Sequence, residues 1–102
     1  MIRHIVLWKF LELTVEGNRK QNLETARQML TEMAEHIEGI ADVKIGINMG
    51  TGANHSDLAL AILFTDKEAL EKYQKHPAHQ KVKDFLGNVR YERRVIDYEV
   101  KD

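Results

Sequence analysis

The chain has 102 residues, 15 Lys plus Arg against 16 Asp plus Glu, and no cysteine. That length holds one domain with a modest core, so a single domain is expected over residues 1–102. The near-zero charge balance supplies no basic field to draw in nucleic acid or anionic lipid, and the lack of thiols removes disulfides, thiolate zinc sites, iron–sulfur clusters and cysteine nucleophiles. No apolar run approaches the about 18 residues of a membrane-spanning helix. Met1-Ile2-Arg3-His4 passes straight into a strand-like pattern without secretory design, so a cytoplasmic protein is expected, with no membrane or nucleic-acid partner.

Ile2 to Phe10 alternates, with Ile2, His4, Val6, Trp8 and Phe10 on one face and Arg3, Ile5, Leu7 and Lys9 on the other. The middle of this strand is apolar on both sides. After a polar stretch holding Gly17 and Asn18, Leu23, Ala26, Leu30, Met33 and Ile37 recur at steps of three and four, the spacing of one helical stripe, and Gly39 is a suitable stop. Val43, Ile45, Ile47 and Met49 then alternate with Lys44, Gly46, Asn48 and Gly50 as a half-buried strand. Turn chemistry from Gly50 to Ser56, Thr51 included, leads into a drier strand, Leu58 to Phe64, and the two strands are expected to pair as an antiparallel hairpin.

Thr65-Asp66-Lys67-Glu68 matches a capping box with Thr65 as the cap, opening a helix that carries Ala69, Leu70 and Tyr73 inward. Pro77 breaks it after His76 and suits the first turn of a further short helix, on which His79, Val82 and Leu86 align. Gly87-Asn88 is expected to stop that helix. Val89 to Val100 reads as a last strand with Arg94, Ile96, Tyr98 and Val100 on one side.

The order β-α-β-β-α-β predicts an α+β, ferredoxin-like protomer: a four-stranded antiparallel sheet with its helices on one face. The opposite face, with Ile5, Leu7, Ala59, Ala61 and Leu63, stays bare, and an apolar patch of that kind is unusual on a monomer. A homodimer packed sheet to sheet is therefore expected, forming a dimeric α/β barrel.

The strand Ile2-Arg3-His4-Ile5-Val6-Leu7-Trp8-Lys9-Phe10, the strand Asp57-Leu58-Ala59-Leu60, the run Tyr73-Gln74-Lys75-His76-Pro77-Ala78-His79 and the close Arg94-Val95-Ile96-Asp97-Tyr98-Glu99 together resemble the stress-responsive dimeric α/β-barrel (Dabb) family, from Ile2 to about Val100. The resemblance implies the same protomer and dimer, a tie to stress response, and a small cavity between sheet and helices near the His-Pro-x-His segment. A plant member of the family, a polyketide cyclase, performs a cofactor-free aldol condensation with a His and a Tyr that match His79 and Tyr73, and its first-strand histidine matches His4. Where that cyclase lines its pocket with bulky aromatics and a third-strand histidine, this chain has Ala26, Arg27 and Leu30, and Leu58. The acid–base pair thus carries over while the polyketide substrate does not.

Three readings follow for function. The first is a protein of unassigned activity that binds a small apolar or aromatic metabolite in the cavity, with Val6, Trp8, Leu30 and Val82 as pocket residues. The second is a cofactor-independent lyase, cyclase or isomerase, with His79 as general base, Tyr73 as hydrogen-bond donor to a developing enolate, and His4 at the cavity floor. The third is a cofactor-free monooxygenase of the dimeric-barrel type. No cofactor and no metal is expected, because His36, His55, His76 and His79 do not follow a ligand spacing. Gly46, Gly50 and Gly52 precede a strand and read as hairpin glycines rather than a phosphate loop. Arg90, Arg93 and Arg94, offset by Glu92, Asp97 and Glu99, read as a solvated strand edge.

Overall fold

The computed structural model describes residues 1–50 and 52–101; Thr51, part of the expected turn, and Asp102 lie outside the described residues. Strand β1 (Ile2–Phe10) is followed by a small hairpin, β2 (Leu13–Thr14) with β3 (Gly17–Asn18), then by helix α1 (Arg19–Glu35), strands β4 (Ile40–Ile47) and β5 (Leu58–Phe64), helices α2 (Lys67–Lys75) and α3 (Pro77–Val89), and strand β6 (Arg90–Glu99). The four long strands form one antiparallel sheet in the order β4-β5-β1-β6. With the helices on one face, this is the ferredoxin-like arrangement.

Strand alternation sorts the side chains. Cross-strand register places His4, Val6 and Trp8 beside Ile62, Leu60 and Leu58 of β5. The next strand continues that face with Val43, Ile45 and Ile47. Helix α1 lays Leu23, Ala26, Leu30 and Met33 onto the layer, α2 adds Ala69, Leu70 and Tyr73, and α3 adds Val82, Leu86 and Val89, making one contiguous core. Burial of each large apolar side chain there contributes about 1.5–3 kcal/mol.

The helix ends differ in part from the sequence expectation. Asn18 caps α1: its side chain accepts from the Gln21 amide at 2.9 Å while Gln21 Oε1 accepts from the Asn18 amide at 3.0 Å. The helix closes at Glu35, with His36 as cap, and Ile37 is buried just beyond it. Gly39 has φ +88, and a Cβ there would lie 2.5 Å from the Ala69 Cβ, so both backbone conformation and close approach require glycine. Asp66, not Thr65, caps α2, accepting from the Ala69 amide at 2.8 Å, because its carboxylate meets the positive end of the helix. Helix α3 runs through Gly87 and Asn88 to Val89, since ending earlier would leave Val89, now completely buried, without its place in the core. Strand β4 ends at Ile47, leaving Met49 fully exposed in the connection to β5.

Among the described residues no helix is long and apolar enough to cross a membrane.

Candidate functional site

Between β1 and β6 on one side and α2 and α3 on the other lies a cavity of about 280 Å³. His4, Val6 and Trp8 form its sheet wall, because they are alternate residues of one strand face. Tyr73 comes from the last turn of α2. His79 comes from the first turn of α3, and Leu86 from further along the same helix. The two helices meet at His76, which caps both: its amide donates to the Tyr73 carbonyl, and its Nδ1 accepts from the Ala78 amide at 3.0 Å. Pro77 fits the first position of α3, where an amide hydrogen would have no helical partner. This joint sets Tyr73 and His79 against each other, their rings stacked with centroids 4.2 Å apart. His4 meets the edge of Tyr73 at 5.5 Å, and Phe64 backs the phenol ring at 5.1 Å.

His4 is buried and its Nδ1 lies 2.5 Å from Asp97 Oδ1, across the β1–β6 register that pairs the two residues. That contact with the carboxylate fixes the orientation of the imidazole. Burial lowers the His79 pKa below its ordinary value; the Gln74 backbone opposes this, while Lys83, His4 and Arg93 add smaller downward contributions. The ring is therefore held in its neutral, proton-accepting form. Its Nδ1 is buried and has no hydrogen-bond partner among the described residues. Burial also pushes the Tyr73 phenol well above its ordinary range, with Arg93 drawing it partway back and Asp97 adding a lesser upward push, so the hydroxyl remains a donor.

Of the residues singled out from sequence, His4, Tyr73, His79, Val6 and Trp8 meet at this cavity. Leu30 and Val82 do not: Leu30 is buried in the core beneath α1, and Val82 turns toward a separate groove between α1 and α3 that also holds Met29 and His36. Val82 sits about 60° around α3 from His79, on the side that packs against α1. Asp97, Gln74, Lys83, Arg90 and Arg93 were not singled out for the site. Arg90 and Arg93 stand on the edge strand β6 and also line the cavity. Among the described residues no three His, Asp or Glu side chains gather as a metal site.

A ferredoxin-like α+β protomer carrying a small imidazole- and phenol-lined cavity is the class that fold and site define. The chain belongs to the stress-responsive A/B barrel domain (Dabb) family, whose sequence profile matches residues 2–100. Solved structures share the fold. A dimeric ferredoxin-like protein of unknown function from Thermobifida fusca is 19% identical over 97% of this chain and 90% of its own, with a TM-score of 0.84. A Dabb family protein with a ferredoxin-like fold from Mesorhizobium loti is 18% identical over 99% of this chain and 97% of its own, with a TM-score of 0.77. A hydroxynitrile lyase from Passiflora edulis is 15% identical over 99% of this chain and 94% of its own, with a TM-score of 0.78. A search of curated proteins finds no match. No specific activity is established for the chain.

Proposed function

We propose that the cavity binds a small aromatic or apolar metabolite and performs cofactor-independent acid–base chemistry on it, of lyase, cyclase or isomerase type. The observation that carries this reading is the convergence of His4, Tyr73 and His79, contributed by one strand and two helices, on one cavity. A neutral His79 removes a proton next to a substrate carbonyl, and the Tyr73 hydroxyl donates to the oxygen on which negative charge develops. His4, oriented by Asp97, stands beside Tyr73 and can take or return a second proton. The similar fold of a lyase fits this reading without identifying a substrate.

The same reading includes a homodimer. The uncovered sheet face carries Ile5, Leu7, Ala61 and Leu63, and β6 extends it with Ile96 and Tyr98, which the register aligns with Ile5 and Arg3. Similar structures described as dimeric, including one from Bacteroides fragilis, support closure of that face by a second copy.

The test is deuterium uptake from solvent into the carbon beside the carbonyl in a panel of aryl ketones and β-keto thioesters, followed by NMR. The native protein should accelerate uptake for at least one compound. His79→Ala should abolish that acceleration while circular dichroism stays native; unchanged uptake in His79→Ala would reject the base assignment. Binding without any exchange across the panel would leave only the binding half of the reading.

A further inference from the structure

The groove between α1 and α3 has a volume of about 230 Å³ and shares no lining residue with the cavity. Met29, Met33 and His36 form its α1 wall, and Ala78 and Val82 face them from α3. Residues 29, 33 and 36 of a helix fall within about 60° of one another around the axis and span about 10.5 Å along it. His36 is the cap but keeps a helical backbone, with φ -101 and ψ 0, so it stays on that face. Met33 stands between the other two, and an ion held over it is within reach of all three side chains. The chain has four methionines; Met1 and Met49 lie outside the helices and strands, and the other two both line this groove.

Two thioethers and a neutral imidazole are uncharged donors, and the softness of sulfur decides what they hold. Hard ions such as magnesium and calcium take oxygen, whereas thioethers select Cu(I). Charge points the same way. Glu32 and Lys81 also line the groove and carry opposite signs, so its side chains leave it without net charge. That balance suits a singly charged ion held by neutral donors better than a divalent ion that needs carboxylates. The field of α1 is favourable as well: the groove lies over its last turns, the carbonyl end of a helix is the negative end of its dipole, and no basic residue stands in that last turn. On the opposite wall the methyl groups of Ala78 and Val82 present nothing that competes for the donors.

We infer that Met29, Met33 and His36 form a binding site for one Cu(I) ion per chain, separate from the cavity and independent of its chemistry. Among the described residues His, Asp and Glu do not gather in threes, so this site depends on sulfur. The unbranched methionine side chain has three rotatable bonds, which lets each thioether swing onto the ion without moving the helix. Glu32 stands one turn before His36, where side chains four apart are neighbours, and is placed to accept from the ring N–H turned away from the ion. A carboxylate is a common outer partner of a ligating histidine.

The probe is Cu(I) itself, added without oxygen to the native protein in competition with the coloured chelator bicinchoninate, with the methionine methyl signals followed by NMR. The protein should withdraw one equivalent from the chelator. The methyl signals of Met29 and Met33 should shift, while those of Met1 and Met49, which are 53% and 100% exposed, stay in place. Met29→Leu and Met33→Leu, which keep the packing volume, should each weaken binding by more than the about 10–100-fold that loss of an outer partner costs. His36→Gln should do the same. The methyl shifts are read on the native protein and hold whatever a variant does to folding. Failure to withdraw copper from the chelator would overturn the inference, as would unchanged affinity in both Leu variants. Movement of His4 and His79 signals in place of the two methionines would put the ion in the cavity and equally overturn it. Zn(II) should leave the methionine methyls unmoved; an equal response to Zn(II) would overturn the assignment of a soft-ion site.

Discussion

The two faces of the sheet are built from alternate residues of the same strands and meet opposite fates. On the helix side Val6, Trp8 and Phe10 are buried; on the other side Leu7 is 37% exposed, Ile96 57% and Tyr98 44%. Hydrophobicity alone therefore does not assign burial in this chain, because a strand apolar on both faces is complete only when each face has a cover. The helices cover one face. The other has the character of an interface, with a continuous apolar centre and charged positions such as Arg3, Lys44 and Arg94 among it.

The most severe test of that contrast is a charge in the middle of the bare face. Ala61→Arg should leave the circular dichroism of the protomer native and move the sedimentation mass from two chains to one; a variant that stays dimeric would break the comparison. On the covered face, Phe10→Ala should cost about 3–5 kcal/mol in urea unfolding, since Phe10 has no exposed surface. A loss below 1 kcal/mol would mean that this face is not the tightly packed one.

The glycines sharpen the same contrast at finer scale. Gly39→Ala should cost about 1–3 kcal/mol, because its φ of +88 is unfavourable for alanine and the new methyl would meet Ala69. Gly46→Ala, on the bare face where an added Cβ meets nothing within 4 Å, should be neutral or stabilise the monomeric Ala61→Arg background by about 0.5 kcal/mol. Differential scanning calorimetry of the pair in that background measures the difference directly.

The smallest effect concerns pH. His79 has a lowered pKa in the folded protein, so below the ordinary imidazole value of 6.5 the unfolded chain binds more protons than the folded one. Stability should accordingly fall as pH is lowered through and below 6.5, and its contribution is intact above that value. His79→Gln should flatten the slope between pH 6.5 and 5; an unchanged slope would show that another group carries it.

The order of elements was legible because each long segment has one dominant period: two in Ile2–Phe10 and Leu58–Phe64, three to four across Leu23–Met33. Local boundaries were less so. Thr65 and Asp66 are adjacent and both can cap, and only the position of the Ala69 amide decides between them. Gly87 and Asn88 are weak helix formers, yet the burial of Val89 outweighs their propensity. At the site, His4, Tyr73 and His79 were visible through the family resemblance and the inward stripe of the second half. Asp97 was not, since it meets His4 across 93 residues of sequence and only strand register joins them. Arg90 and Arg93 escaped for a different reason: alternation separates them, and a one-residue bulge reunites them.

The break at His76 has a mechanical consequence. Helix α3 passes into β6 with no intervening loop, Val89 ending one and Arg90 beginning the other, so the wall bearing His79 and Lys83 is anchored to the strand bearing Arg93 and Asp97. The break at His76 lies at the opposite end of α3, and the stacked rings of Tyr73 and His79 straddle it. Flexure at His76 would part the two rings, so that entry of the proposed ligand and pairing of Tyr73 with His79 would be coupled in a single movement.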